Sequence, residues 1–253
     1  MRFSSIGSGS RGNSTIIEHD DTVVLIDCGF SIKQTEKKLG CLGLVASDID
    51  AILVTHEHSD HIRGVSLLAK KYKIPVITTV GTSKFLKNPS QLDLVFIDTD
   101  SDFNVGNFEV TPVLVPHDAR EPVQFIVRGG NLKFGILTDV GSITKHIIDL
   151  YQKCDGLLIE SNHDEDMLAN GSYPLVLKKR VGGAWGHLNN KQMLHFLKKI
   201  QISQIQQLVI GHISENNNSI ALVKDAISEI SSQLSSVSYA TQNEGFHWKE
   251  LKN

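Results

Sequence analysis

Cysteine is scarce and unpatterned. Cys28, Cys41 and Cys154 are odd in number and form no C-x-x-C pair, which argues against a disulfide framework or a zinc ribbon and suits a reducing cytosol. No apolar run approaches the roughly 18 residues of a membrane-spanning helix. The opening Met1-Arg2-Phe3-Ser4-Ser5 lacks an apolar core segment, so no secretory signal is expected and the expected location is cytoplasmic. Neither sign of charge dominates: 25 basic against 28 acidic residues give a net charge of -3. No global basic field therefore advertises nucleic acid binding, although Lys178-Lys179-Arg180 is either a local basic patch or a solvated face. Low-complexity segments, linkers and short repeats are also missing. With 40% hydrophobic and 21% charged residues among 253, the chain reads as one globular domain over residues 1–253. Oligomeric state leaves no trace in the sequence.

What is present is concentrated. His56-Glu57-His58-Ser59-Asp60-His61 places three imidazoles and a carboxylate within six residues, directly after the apolar run Ala51-Ile52-Leu53-Val54. Neutral imidazole and carboxylate are ligands for zinc and neighbouring divalent metals. In an extended chain His56 and His58 point the same way. Asp60 and His61, past the turn, can reach a second metal position. The bland alternative is a polar loop with solvated histidines. Glu57 and Ser59 read as spacers whose side chains point away.

Strand patterns occur at Arg2–Ile6, Ser14–Glu18, Thr22–Ile26, Ala51–Val54, Pro75–Thr78, Leu94–Ile97, Phe108–Val115, Val123–Val127, Leu132–Leu137 and Gly156–Ile159. Helix patterns occur at Ser31–Leu39, Val65–Tyr72, Thr82–Leu86, Ile143–Leu150, Asn189–Ile200 and Ser219–Ser232. Ser235–Leu251 reads as a last strand pair. Sheets flanked by helices are expected, in the α/β class. His117, Asp139 and His212 each follow an apolar strand. Alone, each is more often a structural or solvated residue; together they repeat one architectural event.

The order Asp27, H-x-H-x-D-H, His117, Asp139, His212 resembles the metallo-β-lactamase fold superfamily over nearly the whole chain. That resemblance implies an αββα four-layer sandwich, two mixed β-sheets flanked by helices, with metals at one edge. It implies two divalent metal ions. His56, His58 and His117 would hold the first, Asp60, His61 and His212 the second, and Asp139 would bridge. Zinc or manganese suits these donors, and iron also fits. The β-lactam-cleaving members usually carry a Cys where Asp139 stands, which turns the expectation away from antibiotic hydrolysis. Asp27 is either an outer residue that orients the cluster loop or a simple turn residue.

Two divalent cations sharing a hydroxide lower its pKa and polarise the scissile centre. By similarity to the tRNA-processing ribonuclease Z branch, Glu160 and His187 form a proton shuttle, with His163 as an alternative donor or a loop residue. Asp60 joins Glu160 and His187 in the catalytic set. Gly7-Ser8-Gly9-Ser10-Arg11-Gly12-Asn13-Ser14, Glu160-Ser161-Asn162-His163-Asp164 and Gly186-His187-Leu188-Asn189-Asn190 together resemble the bacterial WalJ/YycJ-like group, regarded as DNA exonucleases acting from the 5′ end. The glycine-rich loop is either a phosphate cradle or a tight strand connection. The expected function is a dinuclear metal-dependent hydrolase of the phosphodiesterase or exonuclease type, with DNA as partner and no membrane. The alternatives are a glyoxalase II-like thioesterase or lactonase, and a non-catalytic protein that keeps metal for stability.

Overall fold

The computed structural model describes residues 1–253. The first sheet holds β1 (Arg2–Gly7), β2 (Ser14–His19), β3 (Thr22–Ile26), β4 (Ala51–Leu53), β5 (Val76–Thr78) and β6 (Leu94–Phe96). The second holds β7 (Phe103–Val105), β8 (Phe108–Leu114), β9 (Val123–Gly129), β10 (Leu132–Leu137), β11 (Gly156–Glu160), β12 (Gln207–Gly211) and β13 (Val237–Tyr239). β14 (Phe246–Glu250) returns to the first sheet beside β1, which gives seven strands in each. Both sheets are mixed, antiparallel at one end and parallel at the other.

The apolar strands read as continuous runs because both faces are buried. Along β3, Val24 and Ile26 enter the core between the sheets, while Val23 and Leu25 enter the core beneath the helices of the first sheet. On β11, Leu158 faces the inter-sheet core and Leu157 and Ile159 face the opposite helical layer. The helices are α1 (Ile32–Cys41), α2 (Ser59–Ile62), α3 (Val65–Tyr72), α4 (Val80–Ser83), α5 (Lys145–Leu150), α6 (Glu165–Asn170), α7 (Leu175–Val181), α8 (Asn190–Leu197) and α9 (Ile220–Ala226). α1 and α3 cover the first sheet through Leu39, Leu68 and Ala69. α5, α8 and α9 cover the second through Ile147, Met193, Phe196 and Val223. The result is the expected αββα sandwich.

Capping chemistry sets the helix starts. Ser31 caps α1 and Asn189 caps α8, each in a reciprocal box with Gln34 or Gln192, which satisfies two orphan backbone donors at each end. Several boundaries differ from the sequence reading. α4 lies ahead of the expected Thr82–Leu86, because Thr79 provides its cap. The helix expected over Ser219–Ser232 stops as α-helix at Ala226 and continues as a 3₁₀ turn. The final two strands exist but do not pair with each other. β13 lies parallel to β12, the Thr241–Gly245 turn reverses the chain, and β14 joins β1 in the other sheet. β7, α2, α6 and α7 lie outside the expected elements. No helix is long and apolar enough to cross a membrane.

Candidate metal centre

The carboxyl ends of the parallel strands open on one edge, the side where α/β sheets bind ligands. Three residues leaving those ends, Asp27, Asp139 and His212, have φ of 60°, 54° and 49°. Left-handed backbone is uncommon outside glycine, and Asp and His tolerate it better than most. Each such turn carries the chain abruptly out of its strand at the site.

His56 leaves β4 buried, and His58 follows two residues on before α2 begins. His58 Nδ1 lies 3.0 Å from His56 Nε2 and 3.3 Å from His117 Nε2. Outer contacts set the tautomers. Thr55 Oγ1 donates to Asp27 Oδ2 and therefore accepts from His56 Nδ1. His117 Nδ1 donates to the Gly186 carbonyl at 3.0 Å, and His61 Nδ1 donates to Asp27 Oδ2 at 2.7 Å. In all three rings Nε2 is the atom that faces inward, and on His61 a bound cation would take the place of the proton that the neighbouring carboxylates favour there. The nitrogen separations match the edge of a tetrahedron with metal–nitrogen bonds of about 2.0–2.1 Å, which is about 3.3 Å.

Asp139 stands between two donor groups. Its Oδ2 is 3.3 Å from His61 Nε2 and 3.1 Å from His212 Nδ1, while Oδ1 is 3.9 Å from His117 Nε2. The donors His56, His58 and His117 converge as one set, and His56, His61 and Asp139 as another. Asp139 and His212 converge also with Glu160 and His187. Asp60 sits outside these sets, with Oδ2 3.5 Å from His61 Nε2. Buried carboxylates on Asp27 and Asp139, with partly buried Asp60, leave negative charge at the strand ends that cations would balance. Burial opposes charge on His61, but Asp139, Asp27 and Asp60 raise it well above the ordinary histidine range. Burial pushes His56 well below that range and lowers His117. The residues present therefore fit divalent cations.

Glu160 has no exposed surface. Its oxygens accept from the backbone N–H of Asp139 at 3.1 Å, Val140 at 3.0 Å and Leu188 at 2.9 Å, and Oε2 faces His187 Nδ1 at 3.0 Å. Those bonds occupy the carboxylate and leave His187 Nε2 directed to no protein partner. Burial opposes protonation of His187, but Glu160, Asp139 and Asp60 raise it to about 9. His187 lines a pocket of about 430 Å³ with His58, Asp60, Asp118, Asp139, Arg180 and His212.

The structure bears on three readings of the sequence, two of which the sequence leaves open. Most backbone donors of the glycine-rich loop are used internally, which makes it chiefly a tight connection, while Ser10 stays exposed and lines the metal pocket. Gly9 N donates to Asn13 Oδ1, Arg11 N to Gln242 Oε1, Gly12 N to Gly9 O, and Asn13 N to Asp60 O. The loop instead clamps the site: Asn13 Nδ2 donates to Asp60 Oδ2, and Ser8 Oγ accepts from His212 N at 2.9 Å. His163 is buried beside Asn189 and does not line the metal pocket, so it is not placed as a donor there. Glu57 is no idle spacer, since its Oε1 accepts from Arg120 N at 2.7 Å. Cys28 also stays out of the site. Its Sγ lies 3.3 Å from Thr35 Oγ1, and burial pushes the thiol up to about 11.

Other residues emerge only from the fold. Asp118 Oδ1 lies 3.5 Å from His117 Nε2 and 3.7 Å from His58 Nε2, and its other oxygen pairs with Arg180 of α7. Asp27 does orient the cluster loop, accepting from Thr55 N and Thr55 Oγ1 as well as His61.

A family model described as "Beta-lactamase superfamily domain" matches residues 22–213, a span that contains every candidate metal ligand named above. Exodeoxyribonuclease YycJ of Bacillus anthracis is 32% identical over 91% of this chain and 89% of its own length. Exodeoxyribonuclease WalJ of Streptococcus pneumoniae is 33% identical over 86% and 83%. Among solved structures, the metallo-β-lactamase fold protein YhfI of Bacillus subtilis superposes with a TM-score of 0.75 at 18% identity, covering 98% of this chain and 99% of that one. The human short-form tRNase Z gives 0.69 at 18%, with full coverage of both chains. The family model over most of the chain and two relatives above 30% identity along nearly their whole length, together with the imidazole nitrogens turned inward among buried acids, lead to one conclusion: the chain belongs to the β-lactamase superfamily domain family and is a metal-dependent hydrolase.

Proposed function

We propose that this hydrolase is a dinuclear phosphodiesterase that degrades DNA, as an exonuclease working from the 5′ end. The observation that carries the reading is the Glu160–His187 pair, which holds a proton-bearing imidazole at the wall of the metal pocket. A leaving alkoxide needs a proton, and a positioned imidazole supplies it. The full-length similarity to two exodeoxyribonucleases supports DNA as the substrate.

His56, His58 and His117 would hold one metal and Asp60, His61 and His212 the other, with Asp139 between them. Its two oxygens face the two sides, which supports that division. Zinc, manganese or iron suits the donor set. Two bound cations would supply an activated hydroxide and offset charge on the phosphoryl oxygens. They would also neutralise Asp139 and Asp60, bringing His187 down from about 9 toward the range where it gives up its Nε2 proton. Glu160 positions His187 and does not itself meet substrate. Asn13, Ser8 and Asp27 hold the donors in place before substrate arrives.

Metal-reconstituted protein incubated with 5′-labelled duplex and single-stranded DNA tests the proposal. The expected result is metal-dependent release of label, slowed by about 10²–10⁴-fold in His187→Ala. No cleavage of DNA, RNA or a bis-aryl phosphodiester, together with turnover of S-lactoylglutathione, would replace it with a thioesterase.

A further inference from the structure

We infer that the groove beside the metal pocket is a nucleobase subsite in which Trp185 stacks on an unpaired base next to the scissile phosphodiester; this rests on the reading of the chain as a nuclease. The groove has a volume of about 580 Å³, and its walls include Leu114, Pro116, Arg120, Pro122, His146 and Trp185. It shares a wall with the metal centre. His117 lines the groove, while its Nε2 belongs to the inward-facing donors and its Nδ1 is held by Gly186, the residue after Trp185.

Trp185 is 62% exposed and belongs to none of the three hydrophobic cores. Most of its indole face is therefore open to a ligand, and an indole is the side chain with the largest flat surface for stacking. The side chain is not carried by a loose loop. Ala184 O accepts from Ser142 Oγ at 2.8 Å, and Trp185 O accepts from Asp118 N at 2.9 Å. A Cβ on Gly186 would lie 2.2 Å from Arg180 O and from Val181 O, and one on Gly141 would lie 2.4 Å from Ala184 O. The backbone around Trp185 is thus packed tight on both sides, and it presents the ring to the groove while the next residue, Gly186, lines the metal pocket. The backbone at Arg120, which also lines the groove, is held as well, because Glu57 of the metal motif accepts from Arg120 N.

The chemistry of the groove narrows its occupant. One exposed aromatic ring beside Leu114, Val115 and two prolines suits the flat face of a base; of the two carboxylates that also line the groove, Asp100 and Glu121, the latter is engaged by Gly81 N–H. The guanidinium of Arg120 makes no ion pair within the protein, so it is free for a phosphate. Aromatic stacking beside cations is how proteins hold single strands without reading sequence. It also gives a chain of net charge -3 a local means of holding a polyanion. A base can stack there only if it has left its own helix, so the occupant is a single-stranded end.

The test uses the chain's two tryptophans. In metal-loaded Trp248→Phe protein, Trp185 is the sole indole, and a nuclease-resistant phosphorothioate single strand should quench its fluorescence. An abasic residue moved stepwise from the 5′ end should weaken binding about ten-fold at one position, the loss expected for one base–aromatic stack. Trp185→Ala should weaken binding of the intact strand by a similar factor and be insensitive to the abasic position, while Trp185→Phe should restore most of the affinity. Equal binding by Trp185→Ala and the parent, or losses from the variant and the abasic site that simply multiply, overturns the subsite even if DNA is cleaved normally. If the parent protein neither binds nor cleaves DNA, the nuclease reading falls, and the subsite falls with it.

Discussion

Glu160 and His187 face each other across 3.0 Å, a carboxylate with no exposed surface against an imidazole on the pocket wall. Three backbone N–H groups converge on the same carboxylate, so it fixes the Asp139 turn and the His187 loop together. Its role is to position. His187→Ala should lower kcat for DNA cleavage by about 10²–10⁴-fold, the usual contribution of a general acid, with KM and metal content little changed. Glu160→Gln should behave differently. An amide NH₂ would meet N–H donors whichever way it turned, a cost of about 1–3 kcal/mol for buried groups left unsatisfied. Its Tm should therefore fall by several degrees as well as its kcat. Steady-state kinetics and thermal melts on the two variants separate the roles; a His187→Ala enzyme with full kcat removes the imidazole from the mechanism.

Metal should also hold the fold together. A ligand that binds the native state alone stabilises it by mass action, by about 2.7 kcal/mol when it is present at 100 times its Kd. Dialysis against a chelator should lower the Tm, and adding zinc or manganese should restore it. Elemental analysis of the reconstituted protein should find two ions per chain. His56→Ala and Asp139→Ala should both lose metal, Asp139→Ala from both positions because its oxygens face His117 on one side and His61 and His212 on the other. A full complement of metal in Asp139→Ala would remove the bridge.

The site is legible where its residues are adjacent in sequence or repeat one pattern. The His56–His61 cluster announces itself, and His117, Asp139 and His212 share the feature of a polar residue ending an apolar strand. The strands themselves are readable because alternate residues such as Val24 and Leu25 feed different cores, which makes continuous apolar runs. Asn13, Thr55 and Asp118 carry no such mark, since they matter only through what the fold sets beside them. The glycine-rich loop shows the limit clearly. A phosphate cradle and a tight clamp have the same composition, and only the destination of each backbone N–H tells them apart. β13 and β14 meet a similar limit, because an alternating pattern does not state which sheet a strand joins.

The three thiols should differ sharply in reactivity. Burial pushes Cys28 up to about 11 and Cys154 up to about 12, whereas Cys41 is exposed at the end of α1. The thiolate is the reactive form, and raised values keep both buried groups protonated at pH 8. Titration of native protein with an aromatic disulfide reagent at that pH should therefore modify one thiol per chain quickly, and all three in denaturant. Rapid modification of two or three native thiols would contradict the packing around Thr35 or Lys133.

Gly29 and Gly40 should respond in opposite ways to alanine. A Cβ on Gly29 would lie 1.7 Å from Asp60 O, 2.5 Å from Asp60 C and 2.7 Å from Asn13 N. All three are backbone atoms, so no side chain can swing aside. The same peptides knot the site together through Asn13 N to Asp60 O at 2.8 Å and Gly29 N to Asn13 O at 3.0 Å. Overpacking of this kind costs about 1–3 kcal/mol or more, and the strain falls on the segment that carries Asp60 and His61. Gly29→Ala should thus lower the Tm and deplete the second metal before the first. Gly40 lies within α1, and a methyl group there would meet nothing within 4 Å. Alanine at that position removes backbone freedom from the unfolded chain, worth about 0.5–1 kcal/mol, and should raise the Tm by about 1–4 °C with metal content intact. Melting curves and metal analysis on the pair decide it; a Gly29→Ala protein that keeps both ions and its Tm would show that the Asn13–Asp60 clamp yields without cost.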